Sequence, residues 1–558
     1  MIKSRIKKHI EECFREGLAR DWWPEDAAYT YTVEEPRYEG QGDFSTNAAM
    51  VIAGQMKKTS GAEVSPREIA EKMVGLLAQH TTLFDKIDIA GPGFINFFLK
   101  SSVWPELIPE IIKAQDNFGR APGKNKQRVL VEFVSANPTG PLSIGHGRQA
   151  VLGDAICRLL EARGFEVDRE YYYNDGGRQM RVLGESVRAR YLEELGFSVR
   201  FPEDGYQGEY IRDIARLLIA DKGNSLSDCQ DLAPFVERAE KEIFGGIDRT
   251  LKRLGIFFDN YYNERSLYEN GRIDDVVAAL REKGLVYDQE GAVWFRATAF
   301  GQEKDRVIIK SSGEPTYRLP DIAYHREKFR RGYDRLIDIF GADHIATVPD
   351  VLAGVRALGC DDSLVTVILH QFVTLVREGK QVKMSTRKAD FITVDEILDE
   401  VGVDVLRFFF LMRKADSQLE FDLDLATREG QENPVYYVQY GHARIKSIQR
   451  KAEEQGIDAG DIASVSLDVL NIPEEQKIIK MLAAYPSLIQ EAADDLAPHR
   501  VVFYLQELAG VFHSYYNKHR VVSDDKDLSR ARLWLSKALE LVFRNGLTLL
   551  GMTAPESM

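Results

Sequence analysis

The segment from Val131 to Asp154, V-E-F-V-S-A-N-P-T-G-P-L-S-I-G-H-G-R-Q-A-V-L-G-D, restricts the fold more than any other stretch of the chain. A β-branched run from Val129 to Val134, broken by Glu132, passes through a Pro/Gly loop to Gly145-His146-Gly147. Apolar residues at Val151, Leu152, Ile156, Leu159 and Leu160 then recur at helical spacing up to Gly164, and a second apolar run follows from Phe165 to Tyr173. Strand, loop, helix and strand in that order put a glycine-rich turn and a helix N-terminus at the carboxyl edge of a parallel sheet, where free amides favour phosphate. His146, just inside the helix, adds a donor. The unit predicts a nucleotide site; taken alone, a glycine-rich turn also reads as a tight turn in a core.

A second candidate lies about 240 residues downstream, at Lys383-Met384-Ser385-Thr386-Arg387. Two strand-like runs precede it, Leu364 to Leu369 and Phe372 to Val376, separated by His370-Gln371, and a charged turn at Glu378-Gly379-Lys380 leads into a basic loop. Behind the loop, Thr393 and Glu396 predict a capping box that opens one amphipathic helix through Ile397, Val401, Val405 and Phe408. By itself such a run reads equally as a solvated basic hairpin. Two acids stand out as well. Glu132 interrupts an apolar strand, where a charge needs a partner or a ligand; an edge-strand residue paired with an Arg is the plainer reading. Asp321 follows a strand-like T-Y-R-L-P with Tyr317 four residues before it, and also reads as a helix N-cap. The polar turn Gly341-Ala342-Asp343-His344 ends the apolar strand Leu336 to Phe340.

The 558 residues and 44% hydrophobic content predict three or four domains with real cores. No apolar run approaches the roughly 18 residues of a membrane helix; Phe408 to Met412 is bounded by Arg407 and Arg413. The N-terminus, with Ile2, Ile6, Ile10 and Phe14 among lysines, reads as an amphipathic helix rather than a signal peptide, so a cytoplasmic protein is expected. Cys13, Cys157, Cys229 and Cys360 are scattered singly; reduced, buried thiols are expected, with neither disulfide nor zinc implied. The net charge of −14 does not exclude a nucleic-acid partner, because binding depends on local patches. Tyr436, Tyr437 and Tyr440 adjoin Arg444, Lys446, Arg450 and Lys451, and a second patch runs through Arg500, His513, Tyr515, Tyr516, Lys518, His519 and Arg520. Aromatics interleaved with cations suit unstacked RNA loops, and the other reading is an ordinary solvated helix face.

The residues I-G-H resemble the first signature of class I aminoacyl-tRNA synthetases, with Ser143 where the class has its first histidine. The surrounding S-A-N-P-T-G-P-L is similar to the arginyl-tRNA synthetases within that class, and Lys383 to Arg387 resembles the second signature loop. There Thr386 stands where the class has a lysine. Some arginyl enzymes that lack it carry a lysine before the first signature, but here Gly140 holds that place, leaving Lys383, Arg387 or Lys388 as substitutes. G-D-F-S-T-N-A-A, D-I-A-G-P-G-F-I-N-F-F-L, Y-Q-G-E-Y, Y-Y-N-D-G-G, D-D-L-A-P-H-R-V, F-H-S-Y-Y-N-K-H-R-V and L-L-G-M-T-A-P-E-S-M also match the family, so the resemblance spans the chain.

The resemblance implies an α/β architecture: a Rossmann-like parallel-sheet catalytic domain over 122–425 with a helical insertion at about 177–285, an N-terminal α+β domain over 1–110 that contacts tRNA, and an all-α anticodon-binding bundle over 433–558. It implies ATP-dependent ligation of L-arginine to its tRNA through arginyl-adenylate, with Mg²⁺ entering on ATP and no zinc or prosthetic group; a monomer is expected. Catalytic roles would fall to His146, Lys383, Ser385 and Arg387. ATP would be met by Ser143, Gly145, His146, Gly147, Asp343, His344, Lys383, Met384 and Ser385. Glu132, Ser135, Asn137 and His146 would hold the backbone end of arginine, and Tyr317 and Asp321 its guanidinium, whose fixed donors demand planar acceptors. Tyr436, Arg444, Tyr515 and Arg520 are the tRNA candidates. The alternatives are another class I synthetase, or a catalytically weak RNA-binding paralogue suggested by Ser143 and Thr386.

Overall fold

Ile2, Ile6, Ile10 and Cys13 recur on one face of the first helix, and that face is buried. The computed structural model describes residues 2–24, 30–36, 38, 40–61, 63–79, 83–123, 125–382 and 392–558. Helices α1 (Ile2–Ala19), α2 (Ala48–Ser60) and α3 (Pro66–Leu77) pack on an antiparallel sheet of β1 (Val33–Glu34), β2 (Phe44–Thr46), β3 (Phe84–Ala90) and β4 (Phe94–Leu99), in the order β1-β2-β4-β3. Helix α4 (Leu107–Ala114) leads to the next layer.

That layer begins with β5 (Arg128–Glu132), whose continuous apolar run suits a strand covered on both faces. Next come α5 (Ile144–Ala162) and β6 (Glu166–Tyr173), then α6 (Gly177–Glu194), α7 (Glu209–Lys222) and α8 (Ala233–Arg253). Strand β7 (Asn260–Asn263) comes next and pairs in parallel with β6. The stretch read as a helical insertion over 177–285 is therefore crossed by a strand of the main sheet. Helices α9 (Arg265–Glu269) and α10 (Arg272–Glu282) lead to a small antiparallel sheet of β8 (Val286–Gln289), β9 (Ala292–Phe295) and β10 (Arg306–Ile309). Helix α11 (Arg318–Arg330) then returns to the main sheet, followed by β11 (Arg335–Gly341), α12 (Val348–Ala357) and β12 (Val365–His370). The five parallel strands lie in the order β12-β11-β5-β6-β7, a doubly wound Rossmann-like sheet.

Strand β13 (Val373–Arg377) pairs with β14 (Lys380–Gln381) and, in parallel, with β15 (Leu419–Asp422). The helix expected through Phe408 is two helices, α13 (Val394–Val401) and α14 (Val403–Leu411), parted at Gly402 with φ +78°. Helix α15 (Leu423–Ala426) is a single turn. Four helices complete the chain: α16 (Pro434–Glu454), α17 (Pro473–Asp494), α18 (His499–Lys518) and α19 (Lys526–Leu549). Arg318 to Pro320, expected to be strand-like, form the first turn of α11, where Pro320 has no N–H to lose. Tyr317 takes the N-cap position, and Asp321 lies inside the helix rather than capping it. Cys13 and Cys157 are buried, whereas Cys229 and Cys360 are only partly so, correcting the expectation of four buried thiols.

Candidate active site

The carboxyl ends of β5, β6, β11 and β12 open on a cavity of about 940 Å³. Leaving β5, the chain passes through Val134 at φ +69° and Ser135 at φ +44°, a left-handed pair that β-branched valine rarely adopts. Ser135 holds this turn: its hydroxyl donates to Glu132 Oε1 (2.9 Å) and accepts the Tyr172 amide (3.2 Å). Asn137 follows, its Oδ1 taking the Asn174 amide (2.9 Å). The turn thus brings Glu132, Ser135 and Asn137 to the cavity wall.

Helix α5 starts at the same wall. Ser143 precedes its first turn, and the Ser143 amide donates to His146 Nδ1 (3.2 Å), so the neutral ring carries its proton on Nε2. Burial lowers the His146 pKa, and Asp343 opposes this. His370, at the end of β12, is pushed down to about 4, again chiefly by burial. Both imidazoles are neutral donors at physiological pH. Ser143, Gly145, His146, Asp343 and His344 line the cavity. Gly147 does not: its amide donates to the Ser143 carbonyl, and a Cβ there would meet Val394 Cγ2 at 2.8 Å. Its small size serves the packing of α5 on α13 rather than a ligand.

Helix α11 forms the opposite wall with Tyr317 and Asp321, facing Tyr172 and Glu264. Burial pushes the Asp321 carboxyl up to about 7; His325 and Lys328 pull it down, while Glu132 and Glu264 push it up. Tyr172 donates to Glu264 Oε2 (2.7 Å). Glu132 lies on a central strand rather than an edge one, and it pairs with Lys328 of α11 (2.5 Å) rather than with an arginine. Among the described lining residues there are four carboxylates (Glu132, Glu264, Asp321 and Asp343) and neither lysine nor arginine. This field suits a cationic ligand, and any phosphate there must be met by amides, imidazoles and cations brought from beyond the described walls.

Lys383, Met384, Ser385 and Arg387 lie outside the described residues. The chain just beyond that stretch is informative: Thr393 bridges Ser143, and the Val394 amide donates to the Leu142 carbonyl (2.9 Å). The described chain therefore resumes beside the start of α5.

Glu264, Tyr324, His325 and His370 line the cavity, and sequence reasoning gave none of them a role. Glu264 follows the short polar strand N-Y-Y-N, which carries little apolar signal. No group of three or more His, Cys, Asp or Glu suited to a metal ion occurs among the described residues.

In the helical bundle, Arg444 lies over the rings of Tyr440 (4.5 Å) and Tyr516 (4.8 Å), and Tyr436 is half-buried. Tyr515, a tRNA candidate by sequence, points inward: it is buried and donates to Glu475 Oε1 (3.2 Å). Arg520 is exposed. Several other cations of the two patches face carboxylates, Lys446 with Glu540 and Arg500 with Glu491 and Asp495.

Three family models match the chain: the arginyl tRNA synthetase N-terminal domain over residues 1–99, the class I (R) tRNA synthetase catalytic domain over 108–408 and the DALR anticodon binding domain over 438–558. The arginine–tRNA ligase of Desulfotalea psychrophila is 60% identical over 558 residues, all of both chains, and that of Syntrophotalea carbinolica is 47% identical over 560 residues, again all of both. The solved Thermus thermophilus arginyl-tRNA synthetase shares the fold with a TM-score of 0.73 at 22% identity, covering all of both chains.

Proposed function

The chain belongs to the arginyl-tRNA synthetase family, and on that premise we propose how its cavity joins L-arginine to the cognate tRNA. One arginine carboxylate oxygen attacks the α-phosphorus of Mg-ATP, forming arginyl-adenylate as pyrophosphate leaves. A ribose hydroxyl of the terminal tRNA adenosine, the 2′-OH, then attacks the arginyl carbonyl, loses its proton and releases AMP. The protein positions the reactants and stabilises developing charge. Glu132, Ser135 and Asn137 hold the amino-acid end; Asp321, Tyr317 and Glu264 take the guanidinium. His146, with the amides around Gly145, supports the phosphates together with the basic segment from Lys383 to Lys388. Asp343 and His344 border the nucleotide. In the bundle, Tyr436, Arg444 and Arg520 contact tRNA, and Tyr516 replaces Tyr515 there. The enzyme acts as a cytoplasmic monomer, and no helix among the described residues is long and apolar enough to cross a membrane.

The observation that carries this reading is the meeting of Asp321, Glu264 and Glu132 with His146 in one cavity. The test is arginine-dependent exchange of labelled pyrophosphate into ATP, with and without tRNA. Exchange with arginine but not lysine is expected. Absence of exchange under both conditions, with tRNA binding retained, would point instead to an RNA-binding paralogue.

His146→Ala is expected to slow adenylate formation by about 10²–10³-fold, the typical effect of removing one preorganised donor. Rapid-quench measurement under saturating substrates checks it, and a loss below tenfold removes His146 from the phosphate site. The geometry also sets a pH dependence. The guanidinium binds the ionised form of Asp321, whose carboxyl stands near 7 in the free protein. Arginine kcat/KM is therefore expected to rise about tenfold per unit below pH 7 and to level above it. Calorimetry at pH 7 should show about half a proton released per arginine bound, since a carboxyl near 7 is half protonated there; a flat profile from pH 6 to 8 contradicts the assignment.

A further inference from the structure

Three carboxylates share one rung of the parallel sheet: Asp338 on β11 lies opposite Glu132 on β5, which lies opposite Glu170 on β6. All three are buried. Like charges directly opposite on buried strands are destabilising, so compensation must come from the covering layer. Helix α11 supplies it. Lys328 Nζ, itself fully buried, donates to Glu132 Oε2 (2.5 Å) and Asp338 Oδ1 (2.6 Å). His325 Nε2 lies 2.9 Å from Asp338 Oδ2, and Arg331 grips both oxygens of Glu170. The Tyr324 ring lies 4.3 Å from the Lys328 ammonium, and its hydroxyl donates to Glu170 Oε1 (2.6 Å). The same helix carries Asp321. Lys328 thus ties the strand that presents Glu132 to the helix that presents Asp321.

We propose that Lys328 is a positioning residue for arginine: it pins Glu132 to α11 and so holds the two ends of the amino-acid subsite at one fixed span. This rests on the arginine-binding reading above. It predicts that loss of the tie is felt in arginine binding rather than in nucleotide binding, because the Lys328 ammonium bonds to Glu132 and Asp338. It also predicts a pH signature. Among the described residues, Asp321 is faced by His325 and Lys328 on its own helix, Glu132 on β5, Tyr172 on β6, Glu264 after β7 and Tyr268 on α9. Lys328 pulls the Asp321 carboxyl down, so its removal moves that carboxyl upward.

The experiment uses the full chain with Lys328→Gln, measuring arginine-dependent pyrophosphate exchange with tRNA present from pH 6 to 8.5. The expected result is an arginine KM raised about tenfold at pH 7, an ATP KM within about twofold of the parent, and an acid limb displaced upward by roughly half a unit or more. An unmoved arginine KM, an equal rise in both KM values or an unshifted limb overturns the proposal. Should this variant not fold, Lys328→Gln with Asp338→Asn removes one buried charge of each sign and carries the same expectations. A parent enzyme without arginine-dependent exchange overturns the arginine reading itself; an active parent with an indifferent variant overturns the role of Lys328 alone.

Discussion

Asp321→Asn is expected to lower kcat/KM for arginine by roughly 10²- to several 10³-fold, about 3–5 kcal/mol, while KM for ATP changes less than about twofold. The arginine guanidinium must leave water to enter the wall formed by Asp321, Tyr317, Tyr172 and Glu264. An amide keeps the shape and part of the hydrogen bonding but removes the charge, leaving a desolvated cation without its planar acceptor. In the free protein the carboxylate is itself costly, since burial and the nearby Glu132 and Glu264 push its pKa up. The asparagine variant is therefore expected to unfold at the same temperature as the parent or a higher one, the usual trade between stability and a charged site. Its kcat/KM for arginine should also lose the rise between pH 6 and 7. A loss below tenfold, or an equal loss on ATP, would assign the guanidinium to another part of the cavity.

The phosphate-side architecture was legible because its parts are contiguous. A strand run, a glycine-rich loop, a helical repeat and a second strand all lie between Val129 and Tyr173, and the structure forms β5, α5 and β6 there. The capping box of Thr393 and Glu396 was equally local, and both of its hydrogen bonds form. What escaped the sequence depends on register between distant segments. Asp338, Glu132 and Glu170 become one rung only when three strands pair, and Lys328 can meet two of them only once α11 lies over the sheet. Strand β7 is polar and short because it is an edge strand, so it hid inside a helical stretch and took Glu264 with it. In α18 the error was one of phase. Adjacent helical residues point about 100° apart, so Tyr515 faces the core while Tyr516 is exposed beside Arg444. Gly402 was passed over because the apolar repeat continues across it, although its positive φ ends one helix and starts another.

Asp154→Ala is expected to destabilise the protein by about 3–5 kcal/mol, the cost of leaving a buried charge without its partner. The charge is Arg407, which sequence reading took for the hydrophilic edge of an apolar run. In the structure it is fully buried on α14, with Nη2 on Asp154 Oδ2 (2.5 Å), Nη1 on the Leu254 carbonyl (3.0 Å) and Nε on the Leu550 carbonyl (2.8 Å). Leu254 and Leu550 close α8 and α19, so one guanidinium satisfies the ends of two helices and a side chain of the signature helix α5. Gly551, at φ +72°, lies so close that any Cβ would strike the guanidinium. The two partners are not equivalent. Without Arg407, Asp154 still has Arg158 (2.7 Å), whereas without Asp154 the guanidinium keeps only carbonyls. Arg407→Met should therefore cost less than Asp154→Ala, and the double variant less than the sum of the two. Denaturant unfolding of the three variants, followed by fluorescence and circular dichroism, checks the order; additive losses would dissolve the coupling. Burial would raise the Asp154 carboxyl, but Arg407 and Arg158 hold it below the ordinary range. A lowered folded pKa contributes stability that is complete above the unfolded value and is lost as pH falls through the folded one. The gap between parent and Asp154→Ala should accordingly be constant from pH 5 to 8 and close only in stronger acid.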